Sequence, residues 1–93
     1  GEVVTRLERD NCVQFTLRAP IPLTRYIAAK GSICVDGVSL TVNGVDGPNF
    51  DLLIIPHTLE RTTLGELRAG GRVNLEIDLV ARYIERMLTA ENE

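Results

Sequence analysis

Alternation with a period of two runs through most of this chain. Val13, Phe15 and Leu17 alternate with Gln14, Thr16 and Arg18, and Val38, Leu40 and Val42 alternate with Ser39, Thr41 and Asn43. A pleated strand sends successive side chains to opposite faces, so each set marks a strand with one buried face. Weaker alternation over residues 1–8 puts Val3, Thr5 and Leu7 on one side, and the polar Arg9, Asp10 and Asn11 supply the turn of a first hairpin. Ile33 and Val35 open another strand. Asp36 and Gly37 both tolerate positive φ and join it to Val38 as a two-residue hairpin. Asp46, Gly47, Pro48 and Asn49 make a further turn. Residues 50–55 form an apolar strand stopped by Pro56, and Val73, Leu75 and Ile77 alternate with Asn74, Glu76 and Asp78 in the last strand.

Three stretches break that period. Pro22 suits the first position of a helix, where its missing N–H costs nothing, and residues 23–30 read as a short helix with Gly31 as the left-handed residue past its end. Residues 57–64 read as one or two helical turns, with Gly65 and the pair Gly70 and Gly71 bracketing a loop. In the tail, Val80, Tyr83, Ile84, Met87 and Leu88 fall on one helical stripe, with Arg82, Glu85, Arg86 and Glu91 off it. Short strands separated by turns every ~8–12 residues predict a small closed β-barrel. The terminal stripe either packs on a partner helix or covers the open end of the barrel.

With 93 residues the chain is read as one domain, 1–93. A domain this short buries a modest fraction of its surface, which favours a partner barrel or an oligomer. Ten Lys and Arg against thirteen Asp and Glu leave a net charge of −3 with no basic stripe. Nucleic acid and anionic membrane, which need such a patch, are set aside. No apolar run reaches transmembrane length. Cys12 and Cys34 are read as free thiols in a reducing, cytoplasmic compartment, and the opening on Gly1 as the start of an excised domain or processed fragment.

The candidate chemistry is sparse. Ser39 and Thr41 share one strand face opposite Val38, Leu40 and Val42; they are either a solvated face or hydroxyl donors and acceptors for a polar ring lying outside a filled barrel. Lys30 is either a cation at a helix C-terminus or a single fixed charge beside a ligand carbonyl or polyol. His57, the one histidine, lacks Cys or carboxylate partners at ligand spacing and makes a poor metal site; a capping or surface role is its ordinary reading. Asp78 is either an N-cap of the last helix or a functional carboxylate. Dinucleotide, P-loop, C-x-x-C and calcium-loop patterns are missing.

Four ordered stretches carry a resemblance. Residues 30–42, KGSICVDGVSLTV, resemble a signature of the riboflavin synthase (lumazine-binding) family. Residues 53–59, LIIPHTL, are similar to the family's Ile-Pro-x-Thr-Leu segment; Thr62, Thr63, Leu64 and Gly65 follow at the family spacing, and residues 71–78 with 81–86 resemble its last strand and helix. The family's subunit holds two similar barrels. Asp36-Gly37-Val38-Ser39 in place of Asn-Gly-x-Cys, and a terminal helix, match the carboxy-terminal half. The resemblance implies an all-β fold: a small six-stranded antiparallel Greek-key β-barrel with short helical turns and a C-terminal helix over 78–91. It implies conversion of two 6,7-dimethyl-8-ribityllumazines into riboflavin and 5-amino-6-ribitylaminouracil, with no metal and no cofactor beyond bound lumazine or riboflavin. Carried over by motif, Lys30, Ser39, Leu40, Thr41, Leu53, Ile54, Ile55, Pro56, His57 and Thr58 contact ligand, and Ser39 and Asp78 assist proton movement. The implied partners are the amino-terminal barrel of a neighbouring subunit and further copies, a trimer in the full-length parent. A non-catalytic lumazine or flavin carrier of antenna type is the alternative.

Overall fold

In the computed structural model, residues 1–77 are described, together with Tyr83, Ile84, Arg86, Met87 and Leu88. Their strands are β1 (Glu2–Glu8), β2 (Val13–Arg18), β3 (Ser32–Val35), β4 (Val38–Thr41), β5 (Gly44–Asp46), β6 (Asn49–Ile54) and β7 (Leu75–Ile77). They form two antiparallel sheets of order β1-β2-β6-β5 and β4-β3-β7. Five of the expected strands recur with small shifts of their ends. The fourth is divided, because the chain bends at Val42 and Asn43 and continues as β5 in the other sheet.

The inward faces are the ones the alternation selects. Val13 pairs with Ile54, Phe15 with Leu52 and Leu17 with Phe50 across β2 and β6. All six are buried, Phe15, Leu17, Phe50 and Leu52 to 1% exposure. Burying each such side chain contributes roughly 1.5–3 kcal/mol, so this cross-strand ladder is the centre of the core. Ile33, Val35 and Val42 join it, and Val38 and Leu40 pack against it half-buried, inward as expected.

Two seams join the sheets. At the first, Val3 N donates to Gly71 O at 2.8 Å, Gly70 N to Val3 O at 2.8 Å and Val73 N to Gly1 O at 3.0 Å, before the same segment continues into β7 beside β3. At the second, the chain itself crosses from β4 to β5, and Asn43 N donates to Asp51 O at 2.8 Å.

Three local expectations are corrected. The register between β1 and β2 shifts between Val3 and Thr5, so Val3 is buried but Thr5 and Leu7 are exposed, and Arg6 turns inward. One extra residue in a strand of period two reverses every side chain beyond it. The helix expected over 23–30 is a shorter 3₁₀ helix, Ile21–Tyr26, which begins at Ile21 and is left by an extended Ile27. The left-handed residue is Lys30, at φ +72, rather than Gly31. Lys30 thus lies beyond the helix end, where Arg25 occupies the last turn.

An α-helix, α1 (Pro56–Arg61), and a second 3₁₀ turn, Thr63–Glu66, follow β6. Pro56 at the first helical position explains where α1 starts. Thr62 joins the two turns: its hydroxyl donates to Thr58 O at 2.7 Å and accepts from Leu64 N at 3.2 Å. A Cβ on Gly65 would sit 2.6 Å from Leu59 O, so only glycine lets the turns pack this closely.

Candidate functional site

The hairpin of β3 and β4 is built as the sequence indicates. Asp36 and Gly37 both take positive φ, +48 and +85, the geometry of a two-residue turn whose twist matches its strands. Register then places Ser39 opposite Cys34 and Thr41 opposite Ser32, with Glu76 opposite Cys34 on the other side. The outer face of this sheet therefore carries Ser32, Cys34, Ser39, Thr41 and Glu76. Ser39 and Thr41 are both exposed.

Strand β4 has a second distinguishing property. Among the described residues it pairs along one edge alone, with β3. Strand β6 pairs with β2 over its whole length, but with β5 only from Asn49 to Asp51. Above the Asn43–Asp51 hydrogen bond the two strands therefore diverge. Among the described residues, the far edge of β4 and the upper edge of β6 at Leu53 both keep main-chain N–H and C=O groups without a strand partner. In a folded sheet such groups seek a partner of strand-like chemistry.

The apolar run of β6 is divided by this geometry. Ile54 points into the core, 2% exposed, and pairs with Val13 of β2, away from the notch; Leu53 and Ile55 are 47% and 55% exposed. Pro56 and His57 are exposed at the start of α1, and Thr58, half-buried, donates its N–H to Ile55 O at 3.1 Å. Leu40 is half-buried against the core. At the base of the notch, Lys30 N donates to Val42 O and Val42 N to Gly31 O, each at 2.8 Å, tying the exposed Lys30 to the point where β4 leaves its sheet.

The structure thus brings Ser39 and Thr41 together on one face, puts Leu53 and Ile55 on the opposite limb of the notch, and places Lys30 at its foot. Asp78 lies outside the described residues. Concave surfaces occur elsewhere, one lined by Thr24, Ile27, Val45 and Asn49, another by Gly1, Arg72, Val73 and Asn74. Neither includes a residue singled out by the sequence. Cys12 and Cys34 are free thiols. No cluster of His, Cys, Asp and Glu suited to a metal ion occurs among the described residues, and none of their helices is long and apolar enough to cross a membrane.

Comparison with known proteins adds an independent observation. The family described as the lumazine binding domain matches residues 1–78. The chain is 55% identical over 87 residues to riboflavin synthase of Brucella abortus, covering 94% of this chain and 43% of that protein. It is 43% identical over 91 residues to riboflavin synthase of Photobacterium phosphoreum, covering 98% of this chain and 42% of that one. It therefore spans less than half the length of these relatives. Among solved structures, LumP complexed with riboflavin superposes with a TM-score of 0.79 at 22% identity, over 83% of this chain and 42% of LumP. LumP complexed with 6,7-dimethyl-8-(1'-D-ribityl) lumazine gives the same TM-score, with 44% of LumP covered. That likeness establishes the barrel fold.

Proposed function

The chain belongs to the lumazine-binding domain family, and on that premise we propose that it holds one 6,7-dimethyl-8-ribityllumazine in the notch between β4 and β6 and forms half of a riboflavin synthase active site. The observation that carries this reading is the pair of diverging strand edges. The pyrimidine edge of the lumazine ring presents C=O and N–H groups in alternation, as a strand does, so it can exchange hydrogen bonds that neither edge obtains from a strand among the described residues. Leu53 and Ile55 offer exposed apolar surface to the ring face. The hydroxyls of Ser39 and Thr41 and the ammonium of Lys30 suit carbonyl and polyol oxygens. No phosphate cradle is needed, because the ribityl chain is uncharged.

The reaction transfers a four-carbon unit from one lumazine to another, giving riboflavin and 5-amino-6-ribitylaminouracil. A proton must leave the 7-methyl group of the accepting lumazine, whose carbon then bonds to the four-carbon unit of the other, and both rings must stack in register. This chain's part is to fix one ring and place Ser39 near its reacting edge; Asp78 is the proposed second proton carrier. The other ring belongs to an amino-terminal barrel, from a neighbouring subunit. No metal or redox cofactor takes part, and the cytoplasm is the proposed location. A non-catalytic carrier is the second reading, favoured by the superposition on LumP. The synthase is preferred because identity to the named synthases is 55% and 43%, against 22% for LumP.

Quenching of ribityllumazine fluorescence on titration with the purified chain tests the binding. Ser39→Ala and Thr41→Val should each weaken it by about 0.5–1.5 kcal/mol, roughly two- to twelvefold in Kd, with the barrel still folded. Neither hydroxyl is buried, so neither change orphans a partner. Unchanged affinity in both variants would return the two hydroxyls to a solvated face.

The terminal stripe supports self-association. Tyr83, Ile84, Met87 and Leu88 are helical and 66%, 53%, 63% and 52% exposed; a contiguous apolar surface of this kind marks an interface. Val80 lies outside the described residues. A trimer of the two-barrel protein is proposed. Ile84→Glu combined with Met87→Glu should lower its mass by light scattering toward one subunit, whereas an unchanged mass would assign the stripe to the barrel itself.

A further inference from the structure

Strand β4 carries the proposed ligand contacts but is held along one edge only, so what fixes its position matters. Its base is tied by the Lys30 and Gly31 bonds to Val42. Its upper end is the turn at Asp36 and Gly37. There, Asp36 N donates to Asn74 O at 2.9 Å, and Asp36 Oδ1 accepts from Asn74 N at 2.8 Å. This reciprocal pair joins the hairpin tip to the segment that leads into β7, thirty-eight residues along the chain. Cys34 and Ser39 are the second cross-strand pair below that tip.

We propose that Asp36 is a positioning residue for the lumazine site: its carboxylate, clasped to the Asn74 main chain, holds the free edge of β4 in the binding-competent place. This rests on the reading of the β4 and β6 notch as the ligand site. Asp36 does two jobs in one residue. It accepts the left-handed φ of +48, which a short polar side chain tolerates and alanine resists. It also supplies the acceptor for Asn74 N, which a side chain without oxygen cannot. Loss of both lets the tip fray, and an edge strand that is ordered for a fraction f of the time binds with its dissociation constant raised by 1/f.

The test compares three variants by ribityllumazine fluorescence titration, far below each variant's melting temperature. Asp36→Ala should raise Kd about five- to tenfold, as ordering of the tip falls to roughly 0.1–0.2. Asp36→Asn keeps the oxygen acceptor and the tolerance of positive φ, and should stay within about twofold of the original. Gly47→Ala strains another turn, at φ +59 between β5 and β6 with open space around it. It should lower the melting temperature without changing Kd. Amide hydrogen exchange should show faster exchange at residues 38–41 in Asp36→Ala and not in Gly47→Ala. Two results overturn the proposal: an unchanged Kd for Asp36→Ala while the original chain binds, or an equal rise in Kd for Gly47→Ala. Failure of the original chain to bind would overturn the site reading instead, while exchange at residues 38–41 would still report whether Asp36 holds β4.

Discussion

Replacing Arg6 with leucine should cost about 2–4 kcal/mol of folding stability, the largest loss expected from any single side chain outside the apolar core. Arg6 Nη1 donates to Gly65 O and to Leu67 O, both at 2.8 Å, across fifty-nine and sixty-one residues of chain. Its side chain is only 14% exposed, and the guanidinium carbon lies 5.4 Å from the centre of the Phe15 ring. One cation thus satisfies two carbonyls of the turn after α1 and covers the central aromatic of the core. Leucine would fill much of the space but take the inward donor from both carbonyls, leaving each to the exposed Arg68 Nη1 at 3.0 and 2.9 Å; hydrogen bonds from a charged donor contribute about 1.5–3 kcal/mol each, less where water or a second donor reaches the acceptor. For a domain of this size ~1 kcal/mol lowers the midpoint by roughly 4–8 °C, so the thermal transition should fall by about 10–30 °C. Lysine at the same position should recover only part, since a single ammonium lacks the planar fork. A Leu variant melting within about 3 °C of the original, against the size of the loss above, would mean that the turn is held without Arg6, by Arg68 and its own main chain.

The isolated chain should bind ribityllumazine yet convert it at under about 1% of the rate of the two-barrel protein, the second large effect expected. In the proposed reaction two bound rings are joined, and this chain would supply one notch. Holding the second ring in register is worth roughly 7–11 kcal/mol when the geometry is complete. Two copies of this barrel meeting by chance in dilute solution forfeit most of that advantage. The measurement is riboflavin absorbance with time at saturating lumazine, on chain free of the longer protein. Turnover at a tenth or more of the full rate would show that one kind of barrel suffices and that the amino-terminal half is not needed to build the site. Saturable binding with no turnover in the two-barrel protein as well would identify a carrier.

The strands were legible because their alternation is enforced by a core on one side and water on the other. Val13, Phe15 and Leu17 could hardly pair otherwise, and Asp36 with Gly37 announces a two-residue turn by conformational tolerance alone. What escaped the pattern depends on single residues or distant partners. The inserted residue near Val4 leaves no composition signal, yet it decides that Arg6 rather than Leu7 faces inward. Lys30 adopts the left-handed angle beside a glycine that does not need it. Asp36 and Asn74 meet through tertiary closure that no local period encodes. The candidate site was marked by motif, and what alternation alone makes legible there is that Ser39 and Thr41 are exposed on one strand face. That Leu53 and Ile55 face out while Ile54 faces in follows from the β2 register, and an all-apolar run conceals it.

The diverging edges of β4 and β6 have a cost as well as a use. Main-chain groups left without a strand are a template for any extended segment, from this chain's own neighbours or from a misfolded copy. Two features blunt that hazard. Strand β4 is four residues long, too short for a stable foreign ladder, and its outward side chains are the polar Ser39 and Thr41. The ligand would complete the protection, since a ring seated there occupies the groups that a stray strand would otherwise use. Bound lumazine would then act as a small-molecule guard against sheet-edge association, and the barrel would be most vulnerable to aggregation when it is empty.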